Sequence, residues 1–593
     1  MSRVALQDTI TSPLSGVAVP SATVTIRDGA EGGALSTLYL LKEGGTEANN
    51  PIATGDAGFD ANGFLGVYLD PGRYWVEVET GGVLRSYDVV LNDTSDEWAA
   101  GEFNFVSQYA NLEAALAAGV QLDGQGRTYA LTDPITFADG AGLRNAVIDV
   151  TAVTTAANEA CITSTGGGLS DTTNLTADVA TGATTLTMAS TAAFSAGERI
   201  VLRSNADWSV SDDVPLSEEL EILAVATATQ ITLKSPVLFA YATADTARIE
   251  KITRTICGDW ENLTIIGNGT QAGALEFAYV DYPKVRNIKA SGIDSRNIIC
   301  TATRCGYIRD CEVIGDNEDD LNYGVLYRDG TIDLVIDNVK MVRGRHTVTG
   351  GGTGGVNMRV HCSNIWGVQP RAAVYDQHAG CYKCTAYGVF DAEPNYQLGE
   401  DGLVVQGANA VVRGVKVNMG GRGRHSANIQ SLIDYGSGWN VDIEGEFHNA
   451  VNSGVFFKPE GSADVGRARL DVSVRGCADE AIEAYLQSCS CDFLDLDLDI
   501  DIIGSATKQN IMVRQYTTHK FGGGRIVGRS KRANDDQENI QLQGLSGNEI
   551  ANFTIAAVLE NGSHGVRGVD AATGTINTAG NVYIGMSTNE DGL

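Results

Sequence analysis

The segment WENLTIIG, residues 260–267, opens a pattern that recurs from there to near the end of the chain. In VRNIKASG (residues 285–292) and RLDVSVRG (residues 469–476), an Asn or Asp again lies among alternating apolar residues that end in glycine. Anchors aligned on this pattern from Asn262 to Asn552 recur about every 26 residues, which fits three short strands and three turns. Each copy can bury its apolar side only on its neighbours. The period therefore predicts an all-β fold, a right-handed parallel β-helix of about 12 rungs.

Two other repeat folds fit this period less well. A leucine-rich repeat would carry a Leu and Asn consensus that these copies lack. A β-propeller would need about 40 residues per blade.

The rest of the chain divides by composition. Residues 1–105 alternate as strands joined by Pro-Gly and Gly-Gly turns, which predicts a small antiparallel β-sandwich. Residues 106–168 begin with a short amphipathic stretch, predicted as an entry helix that covers the first rungs. Residues 169–251 break the rhythm and predict a small inserted β subdomain that walls a groove. Residues 252–560 are predicted as the β-helical body, and residues 561–593 as its last rung or cap.

The charge balance limits the partners of this chain. Its 593 residues carry 42 Lys and Arg against 74 Asp and Glu, a formal net charge of −32. Nucleic-acid binding needs a basic face, and a membrane span needs about 18 or more apolar residues in one run, so we expect neither partner. The N-terminus lacks the basic and then apolar pattern of a signal peptide, so we expect none.

Eleven cysteines include a CYKC segment at residues 381–384 and a CSC segment at residues 489–491. A zinc site would need a partner pair at suitable spacing, and the sequence has none. The cysteines are therefore predicted to be reduced, buried thiols, and we expect neither a metal nor another cofactor.

A basic island interrupts this acidic chain. No acidic residue occurs from residue 339 to residue 375, a second acid-free span covers residues 402–433, and arginines and histidines concentrate in both. An anionic ligand held by arginines beside reactive carboxylates would account for the reversal of sign. Aromatic residues in the same region could stack on sugars. The predicted substrate-binding residues are Arg345, Arg371, Arg422, Arg424, Trp366 and Tyr375.

The catalytic candidates lie where the acidic residues return. Asp376 precedes Glu400 and Asp401 by 24 and 25 positions, close to one period, so their carboxyl groups could stack on one face. Carboxyl groups about 5 Å apart predict a retaining glycosidase and about 6.5–9.5 Å an inverting one, and such pairing raises one pKa. In the D-x-H segment, His378 lies on the same strand face as Asp376. With His346, it is a candidate base or hydrogen-bond donor.

Two stretches resemble a known family. NNPIATGDAGFDANGFLGVYLDPGRYWVEV (residues 49–78) resembles the N-terminal module of phage tail fibres and tailspikes, which joins the catalytic body to the virion. RHTVTGGG (residues 345–352), followed by YDQHAGC (residues 375–381), is similar to an RH-x-x-T-x-G-G … D-x-H pattern in phage tailspike depolymerases. The resemblance implies a place in or beside the substrate groove for Arg345, His346, Asp376 and His378.

The same resemblance implies the biology of the chain. It predicts a homotrimer in the virion tail, made in the host cytoplasm, acting outside the cell and attached to a tail or adaptor protein through residues 1–105. The implied substrate is a bacterial surface polysaccharide, whether capsule, exopolysaccharide or O-antigen.

Four functions remain open at this point. The first is endo-acting glycoside hydrolysis of an anionic polysaccharide by paired carboxylates. The second is β-elimination by a polysaccharide lyase, in which Arg345 and Arg371 could hold a uronate carboxylate and His346 or His378 could be the base. The third is a receptor-binding spike without chemistry, and the fourth is an adhesive β-solenoid.

Overall fold

The structure is a computed structural model, and the chain divides into two compact units, Met1–Phe103 and Asn104–Leu593. In the first unit it describes residues 4–9, 22–28, 35, 38–39, 47–48, 51–53, 64–69, 72–80 and 83–91. In the second it describes residues 104–591 except 210–212, 316–321, 431–436, 459, 462–463, 487, 490–494, 504–507, 516–522, 533–536, 545–552, 562, 570–577, 579–580 and 585–587.

The first unit contains two four-stranded antiparallel sheets. The first has the order Val4–Thr9, Phe64–Leu69, Leu38–Tyr39, Glu47–Ala48. The second has the order Ile52–Ala53, Ala22–Asp28, Gly72–Thr80, Val83–Leu91. Val24 and Ile26 of the second sheet are fully buried, as the alternation of this strand predicts.

The second unit is built on two long parallel sheets, which we call sheet A and sheet B. Sheet A has 16 strands: Asn104–Phe105, Gln121–Ala130, Gly142–Asp149, Asp259–Ile266, Lys284–Ser291, Tyr307–Ile314, Val335–Val342, His361–Val368, Thr385–Ala392, Ala410–Asn418, Ser437–His448, Asp464–Arg475, Asp495–Ile503, Gly523–Lys531, Phe553–Glu560 and Val582–Ile584. Sheet B has 15 strands: Ile135–Phe137, Ile162–Ser164, Gly273–Ala278, Arg296–Thr301, Tyr323–Arg328, His346–Gly351, Tyr375–Gln377, Leu403–Val405, Ala427–Ile429, Val455–Phe457, Ile482–Leu486, Ile511–Gln515, Ile540–Gly544, His564–Val569 and Thr588–Asp591.

On a third side of the coil, the described residues form short parallel pairs and single parallel bridges between rungs. The pairs are Thr255–Ile256 with Val280–Asp281, Asn357–Met358 with Cys381–Tyr382, and Glu460–Gly461 with Ser488–Cys489. The chain visits the sheets in turn, so the predicted parallel β-helix is confirmed, with about 14 turns. The predicted 12 was too low because the repeat was counted from Asn262 to Asn552, which leaves out the first and last coils.

A short α-helix lies near the start of the coil. The helix Leu112–Leu116 buries Leu112, Ala115 and Leu116, and the Asn111 side chain caps it by accepting a hydrogen bond from the Ala114 N–H at 2.8 Å. Short 3₁₀ turns occur at Val106–Gln108 and Thr243–Asp245.

A six-stranded antiparallel sheet is inserted between the coils. Its order is Gly168–Asn174, Arg248–Thr253, Arg199–Asp207, Pro215–Thr227, Gln230–Leu233, Thr185–Thr187. We call it the inserted sheet.

A column of residues with positive φ runs down sheet A. Asn145, Asn262, Asn287, Asp310, Asn338 and Asn364 all have φ between 52° and 55°, and Gly388 and Gly414 continue the column at 69° and 64°. Each such residue adds one position to its strand, so the apolar residues on both sides of it point into the core. Asparagine tolerates this conformation better than other residues with a Cβ.

Amide hydrogen bonds link this column from rung to rung. Asn262 donates to Asn145 at 3.1 Å, Asn287 to Asn262 at 2.8 Å, and Asn338 to Asp310 at 2.7 Å. From Asn262 onward, the Asn and Asp residues of this column are anchors on which the repeat was aligned. Asp442 and Asp471 do not continue the column, since Asp442 lies opposite Arg469 in an unbroken strand, and Asn552 lies outside the described residues.

The described cysteines are free thiols, and all except Cys305 are buried. In the described ranges, no group of three His, Cys, Asp or Glu side chains is placed to hold a metal ion. The CSC segment at residues 489–491 lies outside the residues whose side chains are described. Among the described residues, no helix is long and apolar enough to cross a membrane.

The asparagine column makes a testable prediction about stability. Asn287→Gly keeps the positive φ and loses only the amide hydrogen bonds, so it should cost about 1 kcal/mol of unfolding free energy. Asn287→Ala also forces an alanine into the left-handed region and should cost about 1 kcal/mol more. Urea unfolding of the two variants measures the difference. Equal costs would contradict the conformational part of the argument.

Candidate functional site

Three sequence-predicted residues meet on the outer face of sheet B. Tyr375 and Gln377 are fully buried in the coil, so alternation turns Asp376 between them to the outside. The Oδ2 atom of Asp376 lies 3.2 Å from Nε2 of His346 and 3.1 Å from Nε2 of His378. Two imidazoles therefore converge on one carboxylate oxygen, and we call this group the Asp376 centre.

The Asp376 centre is buried on one side and open on the other. The Asp376 side chain is 7% exposed, whereas that of His378 is 40% exposed. Burial alone would raise the pKa of Asp376, but His378, His346 and Arg345 outweigh it and lower this pKa to about 2. Asp376 is thus an anion at neutral pH, and His378 is the member of the centre that a ligand can reach.

His346 is held in a defined orientation. Its Nδ1 lies 2.7 Å from the carbonyl oxygen of Ala373, and because a carbonyl only accepts, Nδ1 carries a proton. Burial lowers the pKa of His346 to about 4, against the attraction of Asp376. The contact between His346 Nε2 and Asp376 Oδ2 becomes a hydrogen bond only when a second proton lies between them. This pair is therefore a place where a proton can be taken up.

Sequence reasoning missed Tyr323, which completes the centre. Tyr323 lies opposite His346 on the preceding rung, and the two rings stack with centroids 5.3 Å apart and planes at 23°. Burial raises the pKa of Tyr323, and the nearby Arg345, which is also hydrogen-bonded to it, opposes the rise. The only sequence signal for Tyr323 is the rung register itself, since it precedes His346 by 23 positions.

Asp401 belongs to a second group of side chains, which lies on the rungs that follow the Asp376 centre. Its Oδ1 lies 2.9 Å from Nδ1 of His425, and its Oδ2 accepts a hydrogen bond from the Asn428 amide at 2.6 Å. The ring of Phe456 stacks on His425 with centroids 4.6 Å apart and planes at 8°. The sequence singled out Asp401 but not these three partners.

The predicted stacking of Asp376 on Glu400 and Asp401 is wrong. Asp376 lies opposite Val404, 28 positions later, because this coil is longer than the 24 or 25 positions assumed. Asp401 comes two residues before the strand Leu403–Val405 and aligns with Ala373. The main chain of Glu400 bonds to that of Gln397 and Arg424 in the turn before it.

The predicted arginines divide between the centre and the loops beside it. Arg345 acts on the Asp376 centre through its charge. Arg371 donates to Gln397 Oε1 at 2.8 Å, and Arg422 donates to Asn395 Oδ1 at 2.9 Å. Arg424 is exposed in the turn that precedes His425. These loops join sheet A to the start of sheet B, so a basic edge borders the outer face of sheet B.

Basic residues of the island form ion pairs with acidic residues on a neighbouring rung. Lys340 lies 3.2 Å from Glu312, and Arg359 lies 2.6 Å from Asp333, each partner coming from the preceding rung. A span without acidic residues is therefore not a surface without them, because the preceding rung supplies the opposite charge.

The two predicted stacking platforms lie elsewhere. Tyr375 points into the core, where its hydroxyl is 3.5 Å from that of Tyr327, so its assignment to substrate binding was wrong. Trp366 is 40% exposed on the outer face of sheet A and stacks on Phe390 with centroids 4.4 Å apart. The outer face of sheet B holds the Asp376 centre, so Trp366 is not part of it.

The inserted sheet borders the Asp376 centre. The indole N–H of Trp208 donates to the carbonyl of Ala379 at 2.8 Å, and the Trp208 ring packs edge-on against Tyr382 at 5.8 Å. Ala379 directly follows His378 in the chain. A ligand that reaches His378 therefore meets the inserted sheet on one side.

Comparison with known proteins returns similar structures. No protein-family model matches the chain, and no curated protein matches it significantly. The tailspike protein gp49 from Pseudomonas phage LKA1 is 15% identical, with 81% of this chain and 74% of that chain covered and a TM-score of 0.47. The Gp54 tailspike of Acinetobacter baumannii bacteriophage AP22, in complex with A. baumannii capsular saccharide, is 11% identical, with 82% and 76% covered and a TM-score of 0.49.

A glycosidase also appears among the similar structures. The catalytic domain of a GH87 alpha-1,3-glucanase in complex with tetrasaccharides is 9% identical, with 70% of this chain and 92% of that chain covered and a TM-score of 0.28. The fold itself rests on the strand pairing described above.

The buried histidine makes the stability depend on pH. In an unfolded chain, histidine takes up a proton near pH 6.5, whereas His346 in the fold does so near pH 4. Between these values the unfolded state binds more protons, so stability should fall as the pH falls through this window. We expect His346→Gln to lose less apparent melting temperature than the wild type between pH 7 and about 4.5. Equal losses in calorimetry would contradict the assignment.

Proposed function

We propose that this chain is a tailspike-type depolymerase that cleaves a bacterial surface polysaccharide at the Asp376 centre. The observation that carries the proposal is the convergence of His346 and His378 on one oxygen of Asp376, beside Arg345, on the outer face of a parallel β-helix. A polymer can reach an acid–base group that faces outward from a rigid sheet. The resemblance of residues 345–352 and 375–381 to tailspike depolymerases supports the same conclusion.

The contacts of the centre favour β-elimination at a uronate. Because His378 Nε2 donates to Asp376, its neutral tautomer carries the lone pair on Nδ1, which makes it a base oriented by a carboxylate. In this mechanism, His378 takes the proton from C5 of the uronate, the electron pair forms the C4–C5 double bond, and the C4–O bond breaks. The imidazolium then returns its proton to the leaving oxygen. The charge of Arg345 stabilises the enolate-like carboxylate as C5 loses its proton.

Hydrolysis is the second candidate, and one observation favours it. Val404 is the residue opposite Asp376 on the next rung, and Asp401 comes three residues before Val404. The main-chain positions of Asp376 and Asp401 are therefore about 11 Å apart. Side chains that lean towards each other would come within the range of an inverting glycosidase. Asp401 is ordered by His425 and Asn428, as a catalytic carboxylate would be. Elimination is the preferred mechanism because His378 already contacts Asp376 directly.

The place of the protein in the virion is part of the proposal. Residues 49–78 resemble the module that attaches tailspikes to the tail, and they belong to the separate unit Met1–Phe103. We therefore propose a homotrimer that attaches to a tail or adaptor protein through this unit and acts outside the host cell. Binding of the surface polysaccharide without cleavage is the outcome expected if the Asp376 centre is not reactive.

Conservative substitutions in the centre test the chemistry. Asp376→Asn removes the carboxylate charge that orients His378, and His378→Gln removes the base, so each should lower the cleavage rate by about 10²–10⁴-fold. Polymer length is followed by size-exclusion chromatography on a panel of capsular and O-antigen polysaccharides. Asp333→Asn, an exposed carboxylate paired with Arg359 on the third side of the coil, is the matched control and should keep wild-type activity.

Further variants separate the two mechanisms. If Asp401→Asn abolishes cleavage while His378→Gln retains more than about half of it, hydrolysis by carboxylates replaces elimination. Arg345→Gln should raise KM for a uronate-containing polymer and also lower kcat, because the arginine holds the carboxylate both in the bound polymer and as C5 loses its proton.

The division of the chain gives a separate prediction. The acid–base groups all lie after residue 103, so a chain that begins at Asn104 should fold and cleave polymer at a rate within about twofold of the whole chain. Circular dichroism checks the fold, and light scattering checks whether the trimer survives. Loss of cleavage with the fold and the trimer intact would show that residues 1–103 contribute to the site.

A further inference from the structure

A cavity of about 270 Å³ lies between the inserted sheet and the coil. The inserted sheet contributes Leu169, Arg203 and Ser217 to its wall, and the coil contributes Tyr279 and Asp329. Sites for drug-sized ligands begin at about 300 Å³, so this cavity has room for a single sugar ring and not for a chain. No part of the Asp376 centre lines it.

The glycine-rich run of the 345–352 motif continues into this cavity. Gly354 and Gly355 line it, together with Thr353. A Cβ on Gly354 would lie 2.9 Å from Cβ of Asp329, and a Cβ on Gly355 would lie 2.9 Å from Oγ of Ser217. Glycine at positions 354 and 355 permits this close approach of the loop to both walls, so these two glycines are explained by the cavity.

Both arginines of the cavity are already paired. Arg254, which is 2% exposed, forms a two-pronged pair with Glu219 and donates to the carbonyl of Ala302 at 2.7 Å. Arg203 lies 3.2 Å from Glu250 and donates to the carbonyl of Gly354 at 2.8 Å. The charges of Arg203 and Arg254 are therefore balanced by Glu250 and Glu219, so these arginines do not favour the binding of an added anion.

The remaining lining suits hydroxyl groups. Asp329 accepts the Gly354 N–H at 2.7 Å through one oxygen, and its other oxygen lies 3.5 Å from Nε of Arg328, so the carboxylate can still accept a hydrogen bond. Ser217 accepts the Val356 N–H at 2.9 Å, which leaves its hydroxyl free to donate. Burial raises the pKa of Glu218, which also lines the cavity, to about 7, although the N–H groups of Leu238 and Phe239 oppose the rise. A uronate or sialate carboxylate would be repelled by Asp329, whereas sugar hydroxyls can pair with these groups.

The cavity shares its side of the coil with His378. Thr301 lines the cavity, and the residues in register with it on the following strands of sheet B are Arg328 and then Gly351. A Cβ on Gly351 would lie 3.5 Å from Cδ2 of His378, which places His378 next in this row. Three rungs separate Thr301 from His378, a distance of about 14 Å.

We propose that this cavity binds one uncharged sugar residue, a branch or chain end of the polysaccharide that lies across His378. The inference rests on the proposed function for the identity of the polymer. It deepens that function, because the inserted sheet then selects a heteropolysaccharide that carries a neutral sugar within about 14 Å of the bond that is cleaved. A polymer of the same backbone without that sugar would bind more weakly.

The test uses the whole protein and free monosaccharides, so that no cleavage is needed. Saturation-transfer NMR is recorded with glucose, galactose, mannose, N-acetylglucosamine and glucuronic acid. Leu169→Trp and Thr353→Trp narrow the cavity from opposite sides of its partly exposed rim. Leu223→Trp is the matched control, since Leu223 is 58% exposed in the same inserted sheet and does not line the cavity.

We expect at least one neutral sugar to bind to the wild type and to Leu223→Trp, and to bind at least tenfold more weakly to Leu169→Trp and Thr353→Trp. Two cavity variants on different elements keep the test valid if one of them fails to fold. Absence of binding by every neutral sugar, unchanged binding in both folded cavity variants, or a preference for glucuronic acid would overturn the proposal. Sugar binding without polymer cleavage would reject the depolymerase function and leave the cavity assignment standing.

Discussion

The asparagine column of sheet A is the constraint on which the coil depends. A strand with strict alternation cannot turn two neighbouring side chains outward, and each residue at positive φ allows this once per rung. Asparagine fills the position because it tolerates the left-handed region and because its amide bonds to the next asparagine along the axis. The positive-φ column runs from Asn145 to Gly414, and its amide bonds join Asn145, Asn262 and Asn287 on consecutive rungs and Asp310 with Asn338. Everything that stacks on the outer faces relies on the register of the rungs.

The Asp376 centre is a consequence of the same register. His346 and Asp376 come from consecutive strands of sheet B, and the short strand Tyr375–Gln377 turns Asp376 outward while its neighbours fill the core. Two imidazoles and one carboxylate held on a rigid sheet lose little freedom when a ligand arrives. The contrast between a buried, anionic Asp376 and an exposed His378 gives the two groups different tasks. In the proposed mechanism, Asp376 orients the imidazole and His378 reacts.

Much of this arrangement could be predicted from the sequence, and the failures have physical causes. The period of about 26 residues gave the parallel β-helix, and the D-x-H spacing placed Asp376 and His378 on one face. The same alternation places Tyr375 on the opposite face, so a sugar cannot stack on it. Coil lengths vary with the turns, so the 28 positions from Asp376 to Val404 could not be read from the average period. The charges of Lys340 and Arg359 are cancelled by the preceding rung, which no linear window of sequence includes.

The central claim is that the Asp376 centre breaks glycosidic bonds by removing a proton from carbon. Mass spectrometry of products formed in heavy-oxygen water tests this most directly. The account predicts shortened fragments of a uronate-containing surface polysaccharide that carry no label from water and end in an unsaturated sugar. Fragments that carry the heavy oxygen would contradict the elimination, and polymers of unchanged length across the panel would contradict cleavage altogether.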